Sequence, residues 1–271
     1  MLRLVFFLLL AVASNAGAIV IRDDVQDAQY RAAASSFPAL ADVPAEGHGV
    51  LIAPRWVVTA AHAVAWQSQV DVIVLNGEPR DVDKVIFHPG FKKLPQSLID
   101  AVMKEKDATA AMEFLVDSDD IALVRLAHPV ADVVPAKIYR GSPLGKVIRI
   151  LGKGATGTGE AGHHPHGPNR TDLRHAFNVV STSDGRWIGY VFDRPPAAHP
   201  LEGSAGNGDS GGPLLVAVGD QWQVAGLTSW KHVDGDPATY WPGKYGQINY
   251  GLHLDHYAEW IETTMALDEE S

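Results

Sequence analysis

Short apolar segments, each closed by a turn within a few residues, recur from residue 50 onward and constrain the fold more than any other feature of the chain. Early examples are Val50–Ile52 and Trp56–Val58, both rich in β-branched residues. Runs of this length, separated by Gly, Pro and Asn, are typical of β-strands. Asn76-Gly77 between two later runs is a strong hairpin signal. The pattern predicts an all-β chain.

These strands must hold together without disulfides, because the 271 residues include no cysteine. A chain of this length buries enough apolar surface to fold on its core alone. The formal net charge is −10, and it becomes −11 once Arg3 is removed with the first 18 residues. This acidity argues against nucleic acid or an anionic membrane surface as a partner and favours solubility. We expect a monomer without a nucleic-acid partner.

The first 18 residues have the pattern of a targeting segment. Arg3 precedes a short apolar run, and the small residues Ala16–Ala18 follow it as a cleavage site. The apolar run is too short to be a membrane anchor. We therefore expect residues 1–18 to be a signal peptide, and the mature protein to be secreted or periplasmic and free of the membrane.

A glycine-rich stretch, Gly208–Pro213, presents a serine between flexible neighbours. A serine hydroxyl is a weak nucleophile until a general base lies beside it. Gly208 and Gly211 leave room for a carbonyl group to approach, and turning at glycine aims successive N–H groups at one point. The plain alternative is a glycine-rich hairpin turn. Ser210 is a candidate nucleophile if a base accompanies it.

Two other stretches supply a base and an acid. The apolar run from Trp56 ends on His62, and Asp120 stands at the start of the apolar segment Ile121–Val124. Each has an ordinary interpretation by itself: a satisfied histidine after a strand, and an aspartate in a turn. The order His, Asp, Ser, with each residue at the edge of a strand, favours a catalytic set.

The motifs TAAH (Thr59–His62), DIAL (Asp120–Leu123) and GDSGGP (Gly208–Pro213) resemble those of the chymotrypsin/trypsin family of serine proteases. The resemblance extends from about Ile19 to the C-terminal helix. It implies two six-stranded antiparallel β-barrels, at residues 19–135 and 136–271, with a C-terminal helix in the second unit. The lack of cysteine fits a bacterial exported member better than an animal one.

The resemblance also assigns roles, which follow the family's well-known mechanism. Ser210 attacks the scissile carbonyl, His62 accepts and later returns the proton, and Asp120 orients the imidazole. The N–H groups of Gly208 and Ser210 form the oxyanion hole. The expected activity is that of a serine endopeptidase on polypeptide substrates; the alternative is a protease-shaped binding protein whose catalysis has decayed. Asp119 is expected to be solvated.

The specificity pocket departs from the family pattern. Ser204 falls at the floor, where an aspartate would select Lys and Arg. Ser229 and Trp230 resemble one wall, with Ser229 also donating to Asp120, and Gly243 matches the opposite wall. Lys231 replaces a glycine at the mouth, where an ammonium group would narrow the entrance or favour an acidic substrate side chain. The simpler expectation, which the sequence favours, is that Lys231 extends to solvent.

Three further stretches carry expectations. Cleavage after residue 18 would free the amino group of Ile19, which in the family inserts beside the residue that is Asp209 here. The segment 92–118 is predicted to be a helical insertion, opened by Pro95, that either narrows the cleft near the catalytic aspartate or packs inertly. Histidines 163, 164 and 166 invite a metal interpretation, but no acidic or cysteine partner stands at a fixed spacing. No metal or cofactor is expected.

Overall fold

The computed structural model describes residues 19–44, 47–67, 69–163 and 172–269. Most of its strands close into two six-stranded antiparallel barrels. This confirms the all-β fold predicted from the short apolar segments and from the motif resemblance. The predicted signal peptide, residues 1–18, lies outside the described residues.

The first barrel is built by the first half of the chain and has the strand order β2-β3-β4-β7-β6-β5. Two helices, α2 and α3, interrupt it between β6 and β7, where a helical insertion was predicted. The elements are β2 (Leu40–Asp42), β3 (His48–Ala53), β4 (Trp56–Ala60), α1 (Ala61–Ala65), β5 (Val72–Leu75), β6 (Glu78–Phe87), α2 (Gln96–Glu105), α3 (Thr109–Val116) and β7 (Ile121–Leu126).

The second barrel closes in the order β11-β12-β16-β15-β14-β8. A small four-stranded sheet, β10-β9-β1-β13, lies outside the two barrels. The elements are β1 (Val20–Ile21), β8 (Val147–Gly152), β9 (Gly157–Thr158), β10 (Gly162–His163), β11 (Arg174–Asp184), β12 (Trp187–Val191), β13 (Gly203–Ser204), β14 (Pro213–Val218), β15 (Gln221–Lys231), β16 (Ile248–His253) and α4 (Ala258–Glu269).

Local sequence signals explain several boundaries. Asn76 and Gly77 both adopt positive φ, 51° and 83°, as the predicted hairpin between β5 and β6 requires. Helix α2 begins at Gln96, directly after Pro95, as predicted. Strand β16 ends at His253, which pairs with Gly226, and the C-terminal helix begins at Ala258.

The two ends of the described chain cross to the opposite barrel. Ile19, Ile21 and Tyr30 are buried with side chains of the second barrel, and β1 pairs with β13 and β9. Conversely, Asp268 of α4 pairs with Lys84 and Arg125 of the first barrel. Both ends of the described chain therefore pack across the boundary between the barrels.

The core is aliphatic and holds the strands face to face. Buried residues of the first barrel form one cluster with Leu254, Tyr257 and Ile261 from the C-terminal end of the chain. Within the described residues, none of the helices has the length and apolar character needed to cross a bilayer.

Candidate active site

His62 is positioned by the first barrel. Strand β4 ends at Ala60, which pairs with Ile121 at the start of β7. The N–H of Ala61 donates to the carbonyl oxygen of Asp120 at 2.9 Å. Because β4 and β7 are neighbours, the histidine after one strand and the aspartate before the other are brought together.

Asp120 fixes both the helix start and the imidazole ring. Its Oδ1 accepts from the backbone N–H of His62 at 2.8 Å, and its Oδ2 lies 2.7 Å from His62 Nδ1. Ser229 Oγ donates to the same Oδ2 at 2.5 Å. Since a carboxylate only accepts, Nδ1 carries the ring proton and Nε2 is left as the proton acceptor.

Ser229 reaches Asp120 because the strand carrying it is irregular. The register of β15 against β16 shifts between Thr228 and Trp230. A bulge of this kind adds one residue to a strand and redirects its side chain. The second barrel thereby contributes a hydrogen bond to the acid of the first.

The loop carrying Ser210 is tied to the first barrel. Ser210 Oγ lies 2.7 Å from His62 Nε2, and the Ser210 carbonyl accepts from His48 N–H at 2.6 Å. Gly211 has a φ of 74°, and a Cβ at that position would lie 2.1 Å from the His48 carbonyl oxygen. Glycine is therefore required for the serine to reach the histidine.

Gly208 and Ser210 both line the cleft at the Ser210 hydroxyl. Gly208 has a φ of 89°, which favours glycine. Neither N–H has a hydrogen-bond acceptor among the described residues. Two backbone donors beside a nucleophile are suited to hold a developing oxyanion.

Asp209 stabilises the loop that carries Ser210 through hydrogen bonds to its carboxylate. It is fully buried, and its two carboxylate oxygens accept from Gly154 N–H and Gly206 N–H, each at 2.7 Å. The buried Ile19 precedes β1, which pairs with Ser204 of β13. The start of the described chain thus supports the segment that leads to Ser210.

The chain is similar to known serine proteases over most of its length. The Trypsin family model matches residues 27–261. Snake venom serine protease Haly-2 of Gloydius brevicauda is 30% identical over 242 residues, which cover 82% of this chain and 79% of that protein. Human transmembrane protease serine 5 is 27% identical over 237 residues, 80% of this chain but only 45% of its own length.

This chain belongs to the trypsin family of serine proteases. Its fold agrees with the solved structure of neuropsin, a serine protease expressed in the limbic system of mouse brain, with a TM-score of 0.62. That match covers 87% of this chain and 98% of neuropsin at 22% identity. The suspected family resemblance and the two-barrel fold are both confirmed.

Two cavities meet at His62 in this trypsin-family chain. The larger, called the polar cavity, has a volume of about 460 Å³ and opens beside Gly208 and Ser210. It is lined by His62, Ala205, Gly206, Asn207, Gly208, Ser210, Thr228, Ser229, Trp230, Lys231, Val233, Tyr240, Pro242 and Asn249.

The smaller, called the apolar cavity, has a volume of about 180 Å³ and lies on the side of the helical insertion. Leu115 and Ser118 contribute to it, so the insertion shapes the cleft. It is lined by His62, Ala65, Trp66, Phe91, Lys92, Lys93, Leu94, Leu115, Ser118, Asp120, Ser229 and Trp230.

The structure brings only some of the predicted pocket residues together. Ser229, Trp230 and Lys231 line the polar cavity, and Ser204 lies behind it, donating to Asn249 Oδ1 at 2.8 Å. Gly243 does not line the cavity: a Cβ there would meet His163 and Val20. Asn249, which accepts from Ser204, lines the cavity in front of it. The sequence did not indicate Asn249, because it lies on β16 and away from the stretch around Gly243 that matches the family.

Two expectations about charged residues are wrong. Lys231 does not extend freely to solvent: it is partly buried, and burial lowers its pKa to about 8 although the charge of Asp209 opposes this. Asp119 is not solvated, since Tyr257 donates to it at 2.9 Å and Arg186 lies 3.4 Å away. Tertiary neighbours, absent from the local sequence, decide both cases.

The histidine-rich loop lies largely outside the described residues. His163 is described: it is buried, and its Nε2 accepts from Asn207 N–H at 3.2 Å. Histidines 164 and 166 fall in the gap. Among the described residues, no group of three or more His, Cys, Asp or Glu side chains is arranged to hold a metal ion.

Proposed function

We propose that this protein hydrolyses peptide bonds through a covalent acyl-enzyme, with His62, Asp120 and Ser210 as the catalytic set. The supporting observation is the unbroken hydrogen-bond chain from Ser229 through Asp120 and His62 to the Ser210 hydroxyl. Such a chain makes an alcohol a usable nucleophile near neutral pH.

In the proposed reaction, Ser210 Oγ forms a bond to the scissile carbonyl carbon while its proton passes to His62 Nε2. The N–H groups of Gly208 and Ser210 hold the oxyanion. Collapse breaks the C–N bond, and His62 gives its proton to the leaving amine. Water, deprotonated by His62, then attacks the ester, which releases the acid and returns the proton to Ser210.

The polar cavity would hold the side chain of the residue whose carbonyl is attacked, and Ser204 and Asn249 would form its far wall. The apolar cavity would hold the side chain preceding it. We further propose that residues 1–18 are removed on export, and that the mature chain acts outside the cytoplasm as a monomer on polypeptides. The burial of Ile19 beside the segment leading to Ser210 favours cleavage next to that residue.

A fluorophosphonate probe tests the chemistry directly. The purified protein should be labelled at a single serine and should cleave a denatured protein substrate, whereas Ser210→Ala should do neither. Ser181→Ala, which removes an ordinary serine of β11, is the matched control and should retain both. A folded protein without labelling would instead support the binding-protein alternative.

A further inference from the structure

The polar cavity carries a cation that the catalytic machinery does not use. Lys231 lines it, and none of the described residues that share the lining is acidic. No ion pair or hydrogen bond involves its ammonium group within the described parts of the chain. The charge of Asp209 acts on the ammonium without forming an ion pair with it. A buried charge without a hydrogen-bonded partner is costly, so a partner is expected from outside the chain.

The hydroxyl groups around the cavity leave recognition of a charged side chain to the cation. The Thr228 hydroxyl is buried and has no hydrogen-bond partner among the described residues. Ser204, by contrast, already donates to Asn249 Oδ1. Because the Thr228 hydroxyl is enclosed, the donor left for an incoming side chain is the Lys231 ammonium, which complements a carboxylate.

Asp209 is a charged neighbour that acts on Lys231 from outside the cavity lining. Asp209 lies beneath the loop, with both oxygens bound by backbone N–H groups. Burial raises the pKa of Tyr240, so its phenol stays neutral across the physiological range. His62 is at the catalytic end of the cavity, hydrogen-bonded to Asp120 and Ser210.

We propose that Lys231 makes this enzyme specific for substrates with an acidic residue, glutamate or aspartate, immediately before the scissile bond. The proposal rests on the proposed function, since it assumes that the polar cavity receives that side chain. An arginine or lysine there would place two cations in one cavity without an anion, which disfavours the usual basic specificity.

The test uses four peptides that differ only at the residue before the scissile bond: Glu, Gln, Phe or Arg. At pH 7 we expect kcat/KM for the Glu peptide to exceed that for the isosteric Gln peptide by about 100-fold, because only glutamate pairs with the cation. Lys231→Gln should reduce this ratio to within a few-fold of one, and Lys231→Arg should keep most of it. Lys146→Gln, the same change at an exposed lysine of the second barrel, should keep the full ratio.

Fluorophosphonate labelling, measured first, counts the competent active sites in every variant. A labelled enzyme that prefers Arg or Phe, or a Glu/Gln ratio that survives Lys231→Gln, would overturn the specificity while leaving the proposed function intact. A folded protein that is neither labelled nor active on any peptide would overturn both.

Discussion

The apolar and the polar cavity meet at His62 but differ in origin and in chemistry. The first is built by the first barrel and its insertion, with Leu115 and Phe91 among its walls. The second is built by loops of the second barrel and carries Lys231 and Asn249. Both share Ser229 and Trp230. Under the proposed function, one catalytic centre is thus combined with two recognition surfaces that can be altered separately.

The insertion also contacts the second barrel near the polar cavity. Ala108 N–H donates to the Gly235 carbonyl at 2.9 Å, and Trp187 Nε1 donates to the Val116 carbonyl at 2.9 Å. Helix α3 therefore spans the cleft between the barrels. Leu115 and Ser118 of the insertion line the apolar cavity, whereas β15 and loops of the second barrel line the polar cavity.

Substituting His62, which lines both cavities, should have the largest effect on activity. The loss should be the same whichever substrate side chain occupies the polar cavity. His62→Ala is expected to lower kcat about 10⁴–10⁶-fold for all four peptides alike, because proton transfer is common to them. Single-turnover kinetics on equal amounts of folded protein measure this. A loss confined to some peptides would mean that His62 acts in recognition and not in catalysis.

Reversing the charge of Lys231 should change substrate recognition in the polar cavity and leave recognition in the apolar cavity unchanged. Lys231→Glu is expected to lower kcat/KM for the Glu peptide about 10³-fold, because like charges then share the cavity. The Arg peptide should gain relative to Gln. Lys146→Glu is the matched control, and an equal loss for the Glu and Gln peptides would contradict the pairing.

The selectivity should also depend on pH. Because the pKa of Lys231 is lowered to about 8, its charge is present below that pH and is lost above it. The Glu/Gln ratio of kcat/KM should therefore fall about tenfold between pH 7 and pH 9, as the free enzyme loses its cation. His62 acts on both peptides, so its titration cancels from the ratio. A ratio that is constant up to pH 10 would place the lysine in ordinary solvent.

Truncating one wall of the apolar cavity should have a smaller effect on activity. Leu115→Ala removes part of one wall and is expected to raise KM about fivefold for peptides with a large apolar residue two positions before the scissile bond. Peptides with glycine there should respond little. Met103→Ala, an exposed residue of α2, serves as control. An equal change for both peptide sets would indicate that α3 affects the whole cleft.

The smallest effect concerns stability. A lysine whose pKa is lowered in the folded state binds protons less readily there than when unfolded, so stability rises with pH between about 8 and the ordinary 10.5. Lys231→Met should therefore raise Tm by a few degrees at pH 7. The gain should shrink as pH approaches 10.5, and a difference that does not vary with pH would point to packing.

Local motifs predicted the parts of this molecule that local chemistry dictates. The hairpin at Asn76-Gly77 follows from backbone preferences of two adjacent residues, and the approach of His62 to Asp120 follows from strands that end on them. The family resemblance supplied the pairing of the two barrels. What the motifs missed depends on distant partners: Asn249 faces Ser204 because β16 starts at Ile248, after the glycine that matched the motif.

The partial burial of Lys231 also depends on residues that are distant in the sequence. A lysine at the end of a strand extends to solvent unless neighbouring elements enclose it, and the loops that bring Val233, Tyr240 and Pro242 to the cavity carry no sequence signal of doing so. Asp119 and Asp120 differ in the same way: they are adjacent and chemically identical, but one binds Tyr257 and the other His62.

The packing of each chain end on the opposite barrel bears on how the protein resists proteolysis. A protease is surrounded by copies of itself, and any opening of its halves would offer cleavable loops to them. Here β1 is held by the second barrel and α4 by the first, through Asp268 with Lys84 and Arg125. Separation of the barrels would therefore also break the contacts that hold both ends of the described chain.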